Sequence, residues 1–199
     1  MIKNIIFDFG NVFILWDPRR IFKNIVPAGQ LDAFMRDIWR DEWNENLDRG
    51  ATLAENARHL CAHYPEHARY IAYYHEHWRE SLGDVDAGSV ALLADLKRAG
   101  LRAYGLSNWS AETFPIARAE HPFFDMLDGI VISGEVGVCK PDPAIYNILL
   151  ERHRLLPGEC FFIDDRQDNV DAALKLGIAA VRFQSAAQVR ATLEAMKIL

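Results

Sequence analysis

Apolar residues crowd the start of the chain: Ile2, Ile5, Ile6 and Phe7, interrupted only by Lys3 and Asn4, make a β-branched and aromatic run. Such a run suits a strand buried on both faces of a parallel sheet. It delivers Asp8 into Phe9-Gly10-Asn11, and because Gly10-Asn11 tolerates positive φ, a sharp turn is expected at the strand's carboxyl end. In open α/β sheets that end is where ligands bind. From residue 16 to about 88 the texture changes: apolar residues recur at helical spacing, four of the five tryptophans appear, and no β-branched run survives. This stretch reads as an insert of about four or five helices. Pro18 suits the first position of one, and Gly29 separates it from a second over 30–39. Thr52 with Glu55 fits a capping box for a helix to about residue 62, and Pro65 opens a longer one to about 82.

Beyond Gly88 strands and helices alternate. A helix over 89–99 ends at Gly100, and a strand over 101–106 runs into Ser107. A strand over 129–132 leads through Ser133-Gly134-Glu135-Val136-Gly137 to Lys140-Pro141, after which Asp142 and Pro143 can start a helix. A strand over 160–163 ends in Asp164-Asp165; a helix to 176, a strand over 178–183 and a last helix over 186–196 follow. Strands separated by helices imply right-handed crossovers and a three-layer α/β fold with a parallel sheet. The expected division is a core of residues 1–15 and 89–199 with residues 16–88 inserted as a helical cap that overhangs the strand ends.

The chain has 199 residues, half of them hydrophobic and a quarter charged, which is enough for a proper core. A net charge of −6 argues against nucleic acid or an anionic membrane as the main partner. Three cysteines, Cys61, Cys139 and Cys160, form no C-x-x-C pair, and a reduced, cytoplasmic setting is expected. No apolar stretch reaches the roughly 18 residues of a membrane span, and the N-terminus reads as a strand rather than a signal peptide. A soluble protein is expected, its oligomeric state open.

Asp8, Ser107, Lys140 and the Asp164-Asp165 pair all belong on one rim of the sheet. A carboxylate nucleophile, a hydroxyl, an ammonium and a second acidic cluster in one pocket suit phosphoryl transfer through an aspartyl-phosphate. Asp8 would attack phosphorus, Ser107 and nearby amides would hydrogen-bond the equatorial oxygens, and Lys140 would offset their charge. The acidic pair would hold Mg²⁺, which takes hard oxygen ligands. Adjacent side chains on an extended chain point opposite ways, so one of the pair is expected to ligate directly: Asp165, with Asn169 one helical turn later on the same face.

Together Asp8-Phe9-Gly10-Asn11-Val12, Ser107-Asn108, Lys140-Pro141 and Asp164-Asp165 resemble the four motifs of the haloacid dehalogenase-like hydrolase superfamily, over nearly the whole chain. The insert is similar to that family's α-helical C1 cap and the sheet region to its Rossmann-like core. The resemblance implies Asp8 as nucleophile, Ser107, Asn108 and Lys140 as phosphate ligands, and Asp8, Asp165, Asp164 and the Gly10 carbonyl around Mg²⁺. Its phosphatases usually carry a second aspartate two residues after the nucleophile as general acid; here that position is Gly10. Either the leaving group needs little help, or a cap residue, a water or the substrate supplies the proton, with Asp17 a candidate if the turn folds back. The Phe-Asp-Phe-Gly-Asn-Val stretch resembles the sugar-phosphate phosphatase branch, which shares this glycine. The expected function is a Mg²⁺-dependent phosphatase acting on a small phosphorylated metabolite, a sugar phosphate first. The alternatives are a metal-independent 2-haloacid dehalogenase and a non-catalytic phosphate-binding protein.

Other patterns carry less. Cys160 to Arg166 has the C-x₅-R spacing of cysteine-dependent phosphatases, but two anions lie between. Gly105-Leu106-Ser107-Asn108-Trp109 lacks the final glycine of a serine-hydrolase elbow. Pro65 breaks any single helix through His59, His63 and His67, which favours a solvated surface over a zinc face. Trp39, Trp43 and Trp78 read as cap core, Trp43-Asn44-Glu45 as a possible pocket wall, and Arg19 and Arg20 as solvated.

Overall fold

The computed structural model describes residues 1–199. Strand β1 (Asn4–Phe7) is fully buried and side chains alternate across it: Ile5 and Phe7 enter one apolar cluster, Ile6 the other. The chain then turns at Asn11, whose φ of 56° places the positive φ on the asparagine and not on Gly10. Asparagine tolerates that region because its short side chain bonds locally, and here Trp16 N donates to Asn11 Oδ1 at 3.0 Å.

The stretch expected to be purely helical opens and closes on strands. β2 (Ile14–Trp16) pairs antiparallel with β3 (Leu82–Val85), a two-stranded ribbon too short to leave a periodic signature in the sequence. Between them lie α1 (Arg19–Phe22), α2 (Leu31–Asp37), α3 (Glu42–Asp48), α4 (Leu53–His63) and α5 (Ala68–Glu76). The capping box on α4 is present, with Thr52 and Glu55 exchanging both bonds. The single long helix expected after Pro65 is instead a 3₁₀ turn (Pro65–His67), α5, and a second 3₁₀ turn (Trp78–Ser81), because His77 leaves the helical region at φ −109°, ψ 16°. These helices bury their own cluster, centred on Phe22, whose ring lies 4.7 Å from Phe34, 5.5 Å from Trp39 and 6.1 Å from both Trp43 and Tyr74.

The remainder follows in α/β alternation: α6 (Ala87–Arg98), β4 (Arg102–Ser107), α7 (Phe114–Glu120), β5 (Gly129–Ile132), α8 (Ser133–Val136), α9 (Pro143–His153), β6 (Cys160–Asp164), α10 (Gln167–Lys175), β7 (Ala179–Arg182) and α11 (Ala186–Ala195). The five long-range strands form one parallel sheet in the order β5-β4-β1-β6-β7, so β1 is central. Helices cover both faces, which is why β1 and β6 carry no polar alternation. This is the Rossmann-like three-layer α/β fold. The helical layer is pinned to it at several points: Leu53 N donates to Glu112 Oε2 at 2.5 Å, Arg79 pairs with Glu120 at 2.7 Å, and Cys139 Sγ donates to the Asp48 carbonyl at 3.3 Å.

Candidate active site

Strand register assembles the rim. Phe7 lies opposite Gly105 on one side and Ile163 on the other, so one step further Asp8 and Asp164 face each other, with Ser107 at the end of β4 beside them. Asp8 Oδ1 takes three donors: Ser107 Oγ and Phe9 N, both at 2.7 Å, and Lys140 Nζ at 2.9 Å. Its Oδ2 carries no bond to protein. Gly105 is required beneath this turn, because a Cβ there would meet the Phe9 ring at 2.1 Å.

Lys140 bridges the two carboxylates, its Nζ also 2.6 Å from Asp164 Oδ2, and all three side chains are buried. Asn108, expected among the substrate ligands, uses its amide on the backbone of Lys140, donating to its carbonyl at 3.0 Å and accepting its N–H at 2.8 Å. That clamp holds the loop that presents the ammonium. Asp142 accepts from Ala144 N at 2.9 Å and caps α9 immediately after it.

The acidic doublet divides as the period of an extended chain requires. Asp164 is fully buried, with Arg166 N on Oδ1 at 2.9 Å and Asn169 Nδ2 reaching Oδ1 at 2.9 Å and Oδ2 at 3.1 Å. Asn169 therefore sits on Asp164 and not beside Asp165 as the helical spacing suggested; α10 approaches the strand from the buried side. Asp165 is half-buried and takes only Asn11 Nδ2, at 3.0 Å on Oδ2. Asn11 was missed in the sequence; its signal was the positive φ already suspected at that turn.

Oxygens of Asp8, Asp164 and Asp165 lie within 4.8 Å of one another. Three carboxylates against one ammonium leave an excess of negative charge. Burial pushes Asp8 up to about 7, opposed by Lys140 and reinforced by Asp164 and Asp165. Burial also raises Asp165, against the Asn11 hydrogen bond. For Lys140 burial acts downward, but Asp164 and Asp8 outweigh it and the group ends above its ordinary range. The donor set fits a hard divalent cation: clustered carboxylate oxygens, an unbonded Asp8 Oδ2, and the buried Asn169 Oδ1 without a hydrogen-bond partner.

The rim opens into a cavity of about 480 Å³ between the sheet and the helical layer. Its lining mixes polar and apolar surface: Asn44, Glu45, Asp48 and Arg49 from the α3 region share it with Asn108 and Asp165 and with Trp16, Trp78 and Leu82. Trp43 is instead fully buried in the aromatic cluster. Asp17 does not line the cavity; it accepts Arg19 N at 2.9 Å at the start of α1. Arg19 pairs with Asp32, and Arg20 reaches the Glu80 carbonyl. His63 Nδ1 lies 2.8 Å from the His59 carbonyl, within α4. Cys160 begins β6, at the end of the strand opposite the rim; burial pushes its thiol up to about 11, away from nucleophilic use.

Residues 2–177 match the family model of the haloacid dehalogenase-like hydrolases. Among curated relatives, the sesquiterpene phosphatase astK of Aspergillus oryzae is 30% identical, over 91% of this chain and 89% of its own length. The drimenol cyclase drtB of Aspergillus calidoustus is 30% identical over 96% of this chain, which spans only 35% of that protein. The D-ribitol-5-phosphate phosphatase of Bacteroides thetaiotaomicron is 24% identical, over 96% of both. A haloacid dehalogenase family enzyme of the same bacterium, solved with magnesium and inorganic phosphate, superposes with a TM-score of 0.72 at 25% identity, covering 93% of this chain and 96% of the other.

Proposed function

The chain belongs to the haloacid dehalogenase-like hydrolases, and on that premise we propose that it is a Mg²⁺-dependent phosphatase that hydrolyses a small polar phosphate monoester, a sugar or polyol phosphate, through an aspartyl-phosphate on Asp8. That it is a hydrolase of the phosphatase kind agrees with its phosphatase-named relatives. The observation that carries the finer reading is the rim itself: an Asp8 carboxylate with one oxygen anchored by Ser107, Phe9 N and Lys140 and the other unbonded, beside two more carboxylates and open to the cavity.

The Asp8 carboxylate would attack phosphorus in line, its position set by the three donors on Oδ1. Lys140 Nζ would offset charge on the phosphoryl oxygens, and it stays charged because two carboxylates hold it. Ser107 and backbone amides of the turn after β1 would orient those oxygens. Asp8, the Gly10 carbonyl and Asp165 would hold Mg²⁺, with Asp164 behind them; when bound, the ion offsets the excess negative charge and admits an anionic substrate. Asp165 is the direct ligand in this reading because both oxygens of Asp164 already carry hydrogen bonds.

The polar side chains of the α3 region in the cavity wall, Asn44, Glu45, Asp48 and Arg49, support a sugar or polyol leaving group. No helix is long and apolar enough to cross a membrane, and all three cysteines are unpaired, which supports a reducing compartment such as the cytoplasm. The test is phosphate release from a panel of sugar and polyol phosphates and acetyl phosphate, with Mg²⁺ and with EDTA, beside halide release from 2-chloropropionate. Phosphate release that EDTA stops is expected. Halide release without metal would overturn the reading in favour of a dehalogenase, and silence in every arm would move weight to a non-catalytic phosphate-binding protein or to a substrate outside the panel.

A further inference from the structure

An alkoxide leaving group must be protonated as it departs, and Gly10 carries no side chain with which to do it. In-line attack from the strand end sends the leaving oxygen to the side of phosphorus opposite Asp8, into the cavity that α3 helps to line. Three acids from the α3 region line the cavity: Asp41, Glu45 and Asp48. Asp41 and Glu45 are exposed, whereas Asp48, in the last turn of α3, is half-buried and held.

Asn44 Nδ2 donates to Asp48 Oδ2 at 2.9 Å, and Asn44 Oδ1 accepts from Tyr74 OH at 2.8 Å. The tyrosine fixes which way the amide faces, so Asp48 Oδ2 receives a donor and Oδ1 has no protein partner. The backbone is fixed as well. Cys139, next to Lys140, donates to the Asp48 carbonyl at 3.3 Å. Gly50 turns the chain at φ 102° so closely against the rim that a Cβ there would lie 3.1 Å from the Gly134 carbonyl. The end of α3 is thereby docked beside the loop that carries the ammonium.

We propose that Asp48 is the general acid and base of this active site, standing in for the side chain that position 10 lacks. The inference rests on the phosphatase reading above. As an Asp8 oxygen bonds to phosphorus and the ester P–O bond breaks, its electron pair goes to the leaving oxygen, which takes the Asp48 Oδ1 proton and departs as an alcohol. In the second step a water attacks phosphorus and gives a proton to Asp48; the Asp8–phosphorus bond breaks, regenerating the Asp8 carboxylate and releasing inorganic phosphate. Burial pushes Asp48 up to about 7; Asp8 and Glu45 add to the rise, while Asn44 and Lys140 oppose it. Tyr74 of α5 and Cys139 of the Lys140 loop are the other titratable groups facing it. A group so placed holds its proton in part at neutral pH and can return it.

The experiment compares p-nitrophenyl phosphate, whose leaving oxygen needs no proton, with ribitol 5-phosphate, whose leaving oxygen does, in the wild type and in Asp48→Asn, both with Mg²⁺. Initial phosphorylation of Asp8 is followed in a single turnover, so that the second step does not mask the first. The variant is expected to lose about 10²–10⁴-fold on the alkyl ester and less than about tenfold on the aryl ester. Equal losses on both esters by a folded variant, or no loss on the alkyl ester, would overturn the assignment while leaving the phosphatase reading intact. A wild type inert toward both esters and toward the whole panel above overturns the phosphatase reading and this inference with it. Should circular dichroism show that Asp48→Asn does not fold, the wild type decides: single-turnover phosphorylation by the alkyl ester alone is expected to fall above about pH 7, and coincident pH profiles for the two esters would overturn the assignment.

Discussion

At the sheet rim Asp8, Ser107 and Asp164 stand at or one residue beyond the ends of three paired strands, so the hydrogen-bond register of the sheet sets their spacing. In the helical layer Asn44, Asp48 and Tyr74 come from two helices that are held through aromatic rings around Phe22. Backbone pairing tolerates little adjustment, since a slip of one residue would exchange the faces of every strand position. Ring packing can be rearranged within a conserved volume at modest cost. On the proposed reading the nucleophile and its partners occupy the rigid side of the cavity, while the Asp48 acid and the groups that meet the leaving part of a substrate occupy the adaptable side. The leaving-group side can then vary while the nucleophile is held.

The largest expected effect lies on the rigid side. Asp8→Asn keeps the shape of the side chain and should lower phosphate release by at least about 10⁴-fold, with the urea midpoint nearly unchanged; substantial turnover by this variant would break the proposed mechanism. Lys140→Ala should cost about 10²–10³-fold in activity and, unlike Asp8→Asn, also destabilise the fold by about 3–5 kcal/mol, because it leaves the buried Asp8 and Asp164 carboxylates without their shared cation. Chemical denaturation separates the two variants. On the adaptable side Phe22→Ala should cost about 3–5 kcal/mol in unfolding free energy, its ring being fully buried among four others.

The smallest effect concerns His75, buried in the same layer. Asn56 Nδ2 lies 3.1 Å from its Nε2, and its Nδ1 lies 2.7 Å from the Ile71 carbonyl, which fits a neutral ring with the proton on Nδ1. Burial lowers its pKa, against the Ile71 hydrogen bond. A folded-state value below the unfolded one means that the stability is present above the unfolded value, about 6.5, and is lost as pH falls toward the folded value. The imidazole should therefore subtract stability between pH 7 and pH 5, against the gain that protonation of the raised Asp8 and Asp48 brings, so over that interval the melting temperature of His75→Gln should fall less, or rise more, than that of the wild type; an identical pH profile would show that the imidazole is not involved.

What the sequence determined by itself was the rim of the sheet. An apolar run ending in Asp8, a strand ending at Ser107, Lys140 ahead of a capped helix and a strand ending in Asp164-Asp165 all carry local signals, because strand burial and helix capping are written within a few residues of each site. The same local signals gave the alternation of strands and helices, and hence the α/β fold. The tertiary structure decided what depends on side chains distant in sequence. The pairing of β2 with β3 joins residues 14–16 to 82–85 and left no periodic trace. Asn169 lies on Asp164 because of the angle at which α10 meets β6, and Asn108 meets the Lys140 backbone across 32 residues. Asp48 had no motif at all: a short helix supplies it, and only the docking of that helix beside Cys139 and Gly134 brings its carboxyl into the cavity with Asp8. Periodicity reports which face of an element is buried, whereas the meeting of two polar groups from different elements depends on packing angles that no single stretch of sequence encodes.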